Sequence, residues 1–255
     1  MRYFIKLSYK GTNYFGWQKQ YNSNTVQSTV ENALSVYFRL PLKVTGAGRT
    51  DTGVHAREFF AHFDLPDNIS LSDIDIQKTV YSLNGILPPD IKIIDLFKVI
   101  RSAHARFSAI SRTYRYYIIT KPNPFLNDFS WFVPFPLNTN LMNYLANLLI
   151  QNKDFSAFTK KNYNNKNNVC NLNYAKWENK KNILIFTITS DRFLHNMVRA
   201  IVGTLIDAGR EHITCDEFIE IIKSGNRSKA GSSAPAKGLF LEKIEYPPDI
   251  YINCA

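Results

Sequence analysis

No run of apolar residues approaches the roughly 20 needed to cross a bilayer, and cysteine is scarce. Cys170, Cys215 and Cys254 are far apart, with no Cys-x-x-Cys spacing and no histidine at zinc-finger distance. A membrane-spanning helix, a disulfide framework and a structural zinc are therefore not expected. The opening stretch Met1-Arg2-Tyr3-Phe4-Ile5-Lys6-Leu7 lacks the unbroken apolar segment of a signal peptide and alternates like a strand. The expected location is the cytoplasm, with no membrane and no metal among the partners. Acidic residues are the minority, 21 Asp+Glu against 31 Lys+Arg, for a net charge of +10. That excess favours a polyanionic partner such as nucleic acid, although a solvated lysine surface gives the same count. What is plentiful is core material: 45% hydrophobic and 14% aromatic residues over 255 positions, enough for a folded globular chain.

Along the chain, residues 3–9 read as a strand and lead into Gly11-Thr12-Asn13-Tyr14-Phe15-Gly16-Trp17-Gln18, a loop rich in aromatics for a connector. Val26, Val30, Ala33, Leu34 and Tyr37 recur at helical spacing over 26–38, with Thr25 placed to cap. Strands are expected at 42–46 and 56–64, a helix at 73–84, and strands at 91–99 and 112–120. The prolines at 122, 124, 134 and 136 break regular structure and suggest a boundary. Beyond them come a helix at 139–151, strands at 169–178 and 182–190, helices at 193–209 and 215–224, and a strand at 238–245. Thr214 and Glu217 have capping-box spacing for the last helix. The expected class is α+β: two similar lobes of mainly antiparallel sheet with helices on one face, 1–121 and 122–255, facing a cleft. The Asn/Lys-rich stretch 160–168 reads as a surface loop, its lysines either solvated or in contact with RNA.

The sharpest chemical signal is Gly46-Ala47-Gly48-Arg49-Thr50-Asp51-Thr52-Gly53-Val54-His55-Ala56. Glycines at 46, 48 and 53 permit tight turning and close approach of a ligand. An isolated Asp in such a loop is ordinarily a turn or cap residue; Arg49 beside Asp51 and the pattern of the whole chain favour a functional one. Gly48 to Ala56 resembles the catalytic signature of the tRNA pseudouridine synthase A family. In the same order, so do Tyr9 to Gln18, Ala105-Arg106-Phe107-Ser108-Ala109 with Arg112-Thr113-Tyr114-Arg115-Tyr116, Phe193 to Gly203, and Gly238-Leu239-Phe240-Leu241. The resemblance runs from residue 3 to about residue 246. Thr52 stands where members often have alanine, and Asn196 where a second histidine is common.

The resemblance implies isomerisation of uridine to pseudouridine at positions 38, 39 and 40 of the tRNA anticodon stem-loop, by a homodimer and without a cofactor. It implies Asp51 as the catalytic aspartate, Tyr114 as the active-site aromatic, Arg199 as partner of the aspartate, Leu239 as an apolar floor, and Arg49 in RNA positioning or base extrusion. These roles are physically sensible. The reaction breaks N1–C1′, turns the uracil and forms C5–C1′, so it requires a carboxylate kept ionised in a water-poor pocket. A guanidinium opposes the tendency of burial to protonate it, while a tyrosine ring can stack on an extruded base. Tyr116 shares the expected face of Tyr114, and either tyrosine alone could be plain core.

Whether the carboxylate attacks C1′, attacks C6 or takes a ribose proton is not fixed by residue types. His55 is set aside as a structural histidine, and Tyr14, Phe15 and Trp17 read chiefly as packing. Arg101, Arg106, Arg112, Arg115, Lys160 and Lys161 are candidates for phosphate contacts. Two rivals remain: a non-catalytic RNA-binding module, and a glycosidic hydrolase, which would want a second carboxylate, with Glu58 and Asp64 the nearest in sequence.

Overall fold

The computed structural model describes residues 1–69, 71–160 and 167–252. The chain divides into two compact units, Met1–Ile110 with Leu241–Ala255, and Ser111–Phe240. This differs from the expected division at 121/122. The strand Ser111–Ile119 precedes the proline-rich stretch, yet it pairs residue by residue with Ile183–Ser190 and so belongs to the second unit. The final segment returns to the first. Both units are α+β with mainly antiparallel strands.

The first unit runs β1 (Arg2–Tyr9), α1 (Val26–Phe38), β2 (Thr45–Gly46), β3 (His55–Asp64), α2 (Asp73–Ile86) and β4 (Ile91–Val99). β9 (Leu239–Glu245) carries the chain into it from the second unit. Its strand order is β4-β1-β3-β9, with β2 paired to β3. β1 is antiparallel to both β3 and β4, and its register on β3 slips between Leu7 and Tyr9: Leu7 faces Phe59 but Tyr9 faces Ala56. Tyr3, Phe4, Leu7, Phe59 and Phe63 are fully buried here, each side chain contributing about 1.5–3 kcal/mol by leaving water.

α1 begins where expected, because Thr25 accepts from Ser28 N and Ser28 bonds back to the Thr25 N–H. The strand expected at 42–46 is shorter, and the cause lies in α1. Gln27 Nε2 donates to Val44 O at 3.0 Å and Val44 N donates to Glu31 Oε1 at 3.1 Å. With both backbone groups of Val44 engaged by helix side chains, only Thr45 and Gly46 join the sheet.

The second unit runs β5 (Ser111–Ile119), β6 (Trp131–Phe132), α3 (Thr139–Gln151), β7 (Leu172–Lys180), β8 (Ile183–Ser190), α4 (Met197–Gly209) and α5 (Cys215–Ser224). β8 lies between β5 and β7, antiparallel to both, and the unexpected β6 pairs parallel with β5. The Thr214–Glu217 capping box is present. α4 starts at Met197, not 193, because Asn196 sits in the left-handed region at φ 65° and cannot be helical. Cys170 and Cys215 are free thiols, and burial pushes Cys170 up to about 12; Cys254 lies outside the described residues.

His62, in β3, is buried beside His104 with its Nδ1 accepting from Ala105 N at 3.1 Å. Burial, then the Arg2 and His104 charges, lower its pKa from 6.5 to about 4. Stability from this neutral histidine is therefore fully present above about pH 6.5 and is lost as pH falls toward 4. Urea midpoints should drop across that window, and His62→Gln, which keeps an acceptor for Ala105, should flatten most of the slope; an unchanged slope would contradict the assignment.

Candidate active site

The chain leaves β2 at Gly46 and returns at His55, so the intervening loop has both ends anchored on β3. Ala47 N donates to Phe60 O at 2.7 Å, and Val54 N to Asp51 O at 3.1 Å. The second bond closes a turn over residues 51–54 whose third residue, Gly53, has φ 79°. A turn of that form requires a positive φ there, which glycine supplies without steric cost. Gly46 is required for another reason, since a Cβ on it would lie 2.4 Å from the Trp17 indole nitrogen. Asp51 is half-buried at the tip, with Arg49 exposed and Thr50 buried.

The aromatic loop after β1 lies against this tip. Trp17 N donates to Thr50 O at 3.2 Å, the Tyr9 and Thr50 hydroxyls are 2.9 Å apart, and Gly11 N donates to His55 Nδ1 at 3.1 Å. The approach is too close for side chains: a Cβ on Gly11 would lie 2.0 Å from Val54 O, and one on Gly16 2.4 Å from Thr50 O. The loop is braced from behind by α1, whose first N–H groups, Val26 and Gln27, donate to Gly16 O and Trp17 O. Trp17 packs on Phe59 with ring centroids 4.1 Å apart. Trp17 and Tyr14 are thus packing residues as expected, with Tyr14 OH donating to Asp90, whereas Phe15 is exposed. His55, 1% exposed and accepting from Gly11, has the structural place expected of it.

In the second unit, Tyr114 is half-buried on β5 with its ring edge-on to Phe193 at 5.1 Å. Tyr116 is different. It is fully buried, its hydroxyl donates to Pro235 O at 2.7 Å, and a Cβ on Gly238 would meet its ring at 2.7 Å, so it is core. Arg199, on α4, donates from Nε to Ala234 O at 2.7 Å, while Ala234 N donates to Arg199 O at 3.0 Å. Its guanidinium is thereby tied to the segment that leads into Leu239, which is buried at the start of β9. Asn196, where a histidine is common, donates to Ser233 Oγ in that same segment.

The family model for tRNA pseudouridine synthase matches residues 6–75 and 145–247, more than half of the chain. The chain belongs to the tRNA pseudouridine synthase family. Relatives named tRNA pseudouridine synthase A include those of Azobacteroides pseudotrichonymphae, 47% identical over 99% of both chains, and Parabacteroides distasonis, 44% identical over 98% of both. One from Thermoanaerobacter is 38% identical over 95% of this chain and 98% of its own. Arg49, Asp51, Arg199 and Leu239 fall inside the family match; Tyr114 lies in the stretch between its two segments, which those full-length relatives cover.

For this synthase-family chain, the two acids nearest Asp51 in sequence are committed elsewhere. Glu58 pairs with Lys6 at 2.7 Å and Asp64 with Arg2 at 2.8 Å. The Arg2 bond holds Asp64 below the usual carboxylate range. Neither is poised as a glycosidase's second carboxylate. Among the phosphate candidates, Arg101, Arg106, Arg115 and Lys160 are exposed, Arg112 donates to Asp191 O at 2.6 Å, and Lys161 lies outside the described residues. No group of three or more His, Cys, Asp or Glu able to hold a metal occurs among the described residues, and no helix there is long and apolar enough to cross a membrane.

Gly16→Ala tests the grip on the 46–55 loop. With φ at 80° and Thr50 O in the way, it should cost about 2 kcal/mol or more in urea unfolding and depress activity. A variant of wild-type stability and rate would show the contact to be dispensable.

Proposed function

We propose that Asp51 is the carboxylate with which this chain converts uridine to pseudouridine in the anticodon stem-loop of tRNA, at positions 38, 39 and 40. Membership of the family makes the chain an enzyme, an isomerase acting on uridine in tRNA. The observation that carries the role of Asp51 is the loop itself: a half-buried aspartate that opens a turn whose flanking backbone is bonded on both sides. Immobilising the reacting group before substrate arrives removes orientational cost from the chemical step.

A uridine in a stem must be extruded before a carboxylate can reach its ribose or ring. Exposed Arg49, two residues before Asp51, suits positioning of the RNA backbone or occupation of the vacated stack. Tyr114, its ring oriented by Phe193, suits stacking on the extruded uracil; Leu239 supplies an apolar floor. Arg199, oriented through its bond to Ala234, is proposed to pair with Asp51 and hold its carboxylate. Once N1–C1′ breaks and C5–C1′ forms, C5 loses its proton and N1 gains one, so no atoms are exchanged overall and no redox carrier is needed. A homodimer sharing each tRNA, and a cytoplasmic location beside that substrate, complete the reading.

The test is site mapping on purified tRNA carrying uridine at 38, 39 and 40. Pseudouridine should appear at those positions without release of free uracil, and Asp51→Ala should bind the tRNA yet convert none of it. Release of uracil would indicate a hydrolase, binding without conversion by the wild type a non-catalytic module, and modification confined to another arm would overturn the assigned positions.

A further inference from the structure

Tyr9 stands at the point where β1 and the Asp51 loop meet. Strict pairing from Leu7↔Phe59 would set Tyr9 opposite Arg57; the register slip sets it opposite Ala56, one residue nearer the loop. Irregularities of this kind re-aim a side chain, and they recur beside active sites. The ring is enclosed by Phe59 at 5.7 Å and Trp17 at 6.2 Å, so the hydroxyl has a fixed direction. That hydroxyl meets Thr50 Oγ1 at 2.9 Å in a buried bond, Tyr9 being 4% and Thr50 8% exposed.

Thr50 is thus held twice, by Tyr9 through its side chain and by Trp17 N–H through its carbonyl. The next residue is Asp51, whose own carbonyl closes the turn with Val54. Fixing the Thr50 side chain restricts rotation about the backbone that carries the Asp51 Cα. From this geometry we propose that Tyr9 is a positioning residue for the uridine isomerisation, its hydroxyl acting through Thr50 to set the direction of the Asp51 carboxylate. The inference rests on Asp51 being the catalytic carboxylate. It assigns Tyr9 no contact with RNA and no proton to transfer.

The rate of positioned chemistry is steeply sensitive to placement, with a displacement of about 1 Å costing as much as about a hundredfold. Tyr9→Phe keeps the ring packing and removes only the oxygen. Its single-turnover rate on tRNA should fall by about ten- to a hundredfold, with the tRNA Kd within about twofold of wild type. Thr50→Val should show the same loss, Thr50→Ser should retain most of the rate, and the double variant Tyr9→Phe/Thr50→Val should be no slower than either alone. Tyr37→Phe is the control. It removes a similar hydroxyl bond, from Tyr37 to Thr79 at 3.0 Å between α1 and α2, and should lower stability comparably while leaving the rate unchanged.

A wild-type rate for Tyr9→Phe, multiplicative losses in the double variant, or an equal rate loss in Tyr37→Phe would overturn the proposal. Asp51→Asn is measured alongside. If it is inactive and Tyr9→Phe is not impaired, only the positioning role fails; if Asp51→Asn is active, the reading of Asp51 fails, and the positioning role with it.

Discussion

The backbone of Thr50 is gripped from its side chain and its carbonyl by two residues of one preceding segment, Tyr9 and Trp17, and the presentation of Asp51 depends on that grip. Much of the first unit is arranged around it. Gly11 and Gly16 exist as glycines because the two stretches of backbone approach more closely than a methyl group allows. The N-terminus of α1 donates its first N–H groups to the same segment, so the helix is both core and brace. Gln27 and Glu31, one turn apart on that helix, hold Val44 and thereby fix where β2 enters the loop.

The second unit uses a related device for Arg199. Residues 233 and 234 are bound to α4 through Asn196 and through both the side chain and the carbonyl of Arg199. A long flexible guanidinium is thus given one direction before any partner is met, and planar donors lose least freedom when oriented in advance. The buried hydroxyl of Tyr116 anchors Pro235 just beyond, which ties the approach to Leu239 to the centre of β5.

Most of the fold was legible because its elements carry local signals. Thr25 and Thr214 capped helices as their spacing indicated, and the strands expected at 3–9, 91–99 and 182–190 became β1, β4 and β8. The failures have tertiary causes. β2 is short because helix side chains took the hydrogen bonds of Val44, and α4 is late because Asn196 turned left-handed to reach Ser233. Prolines at 122 and 124 suggested a boundary, but the pairing of β5 with β8, which no local pattern encodes, put it before Ser111. At the site, the loop's composition alone favoured a turn or cap role for Asp51, and it was the motif resemblance along the whole chain that pointed to Asp51 and Arg49. The role of Tyr9 did not stand out, because a tyrosine ending a strand looks the same whether its hydroxyl faces solvent or Thr50. Tyr116 likewise became distinguishable from Tyr114 only through burial.

The central claim is that Asp51 presents its carboxylate to the uridine being isomerised. It is tested most directly by a structure of the protein with an anticodon stem-loop RNA, measuring the distance from the Asp51 carboxylate oxygens to the nearest reacting atom of the extruded uridine. The account predicts contact within about 3.5 Å, with the 50–54 backbone unmoved from its position in the free protein. A uridine seated elsewhere, or an Asp51 turned inward to cap its own loop while the base is bound, would contradict it.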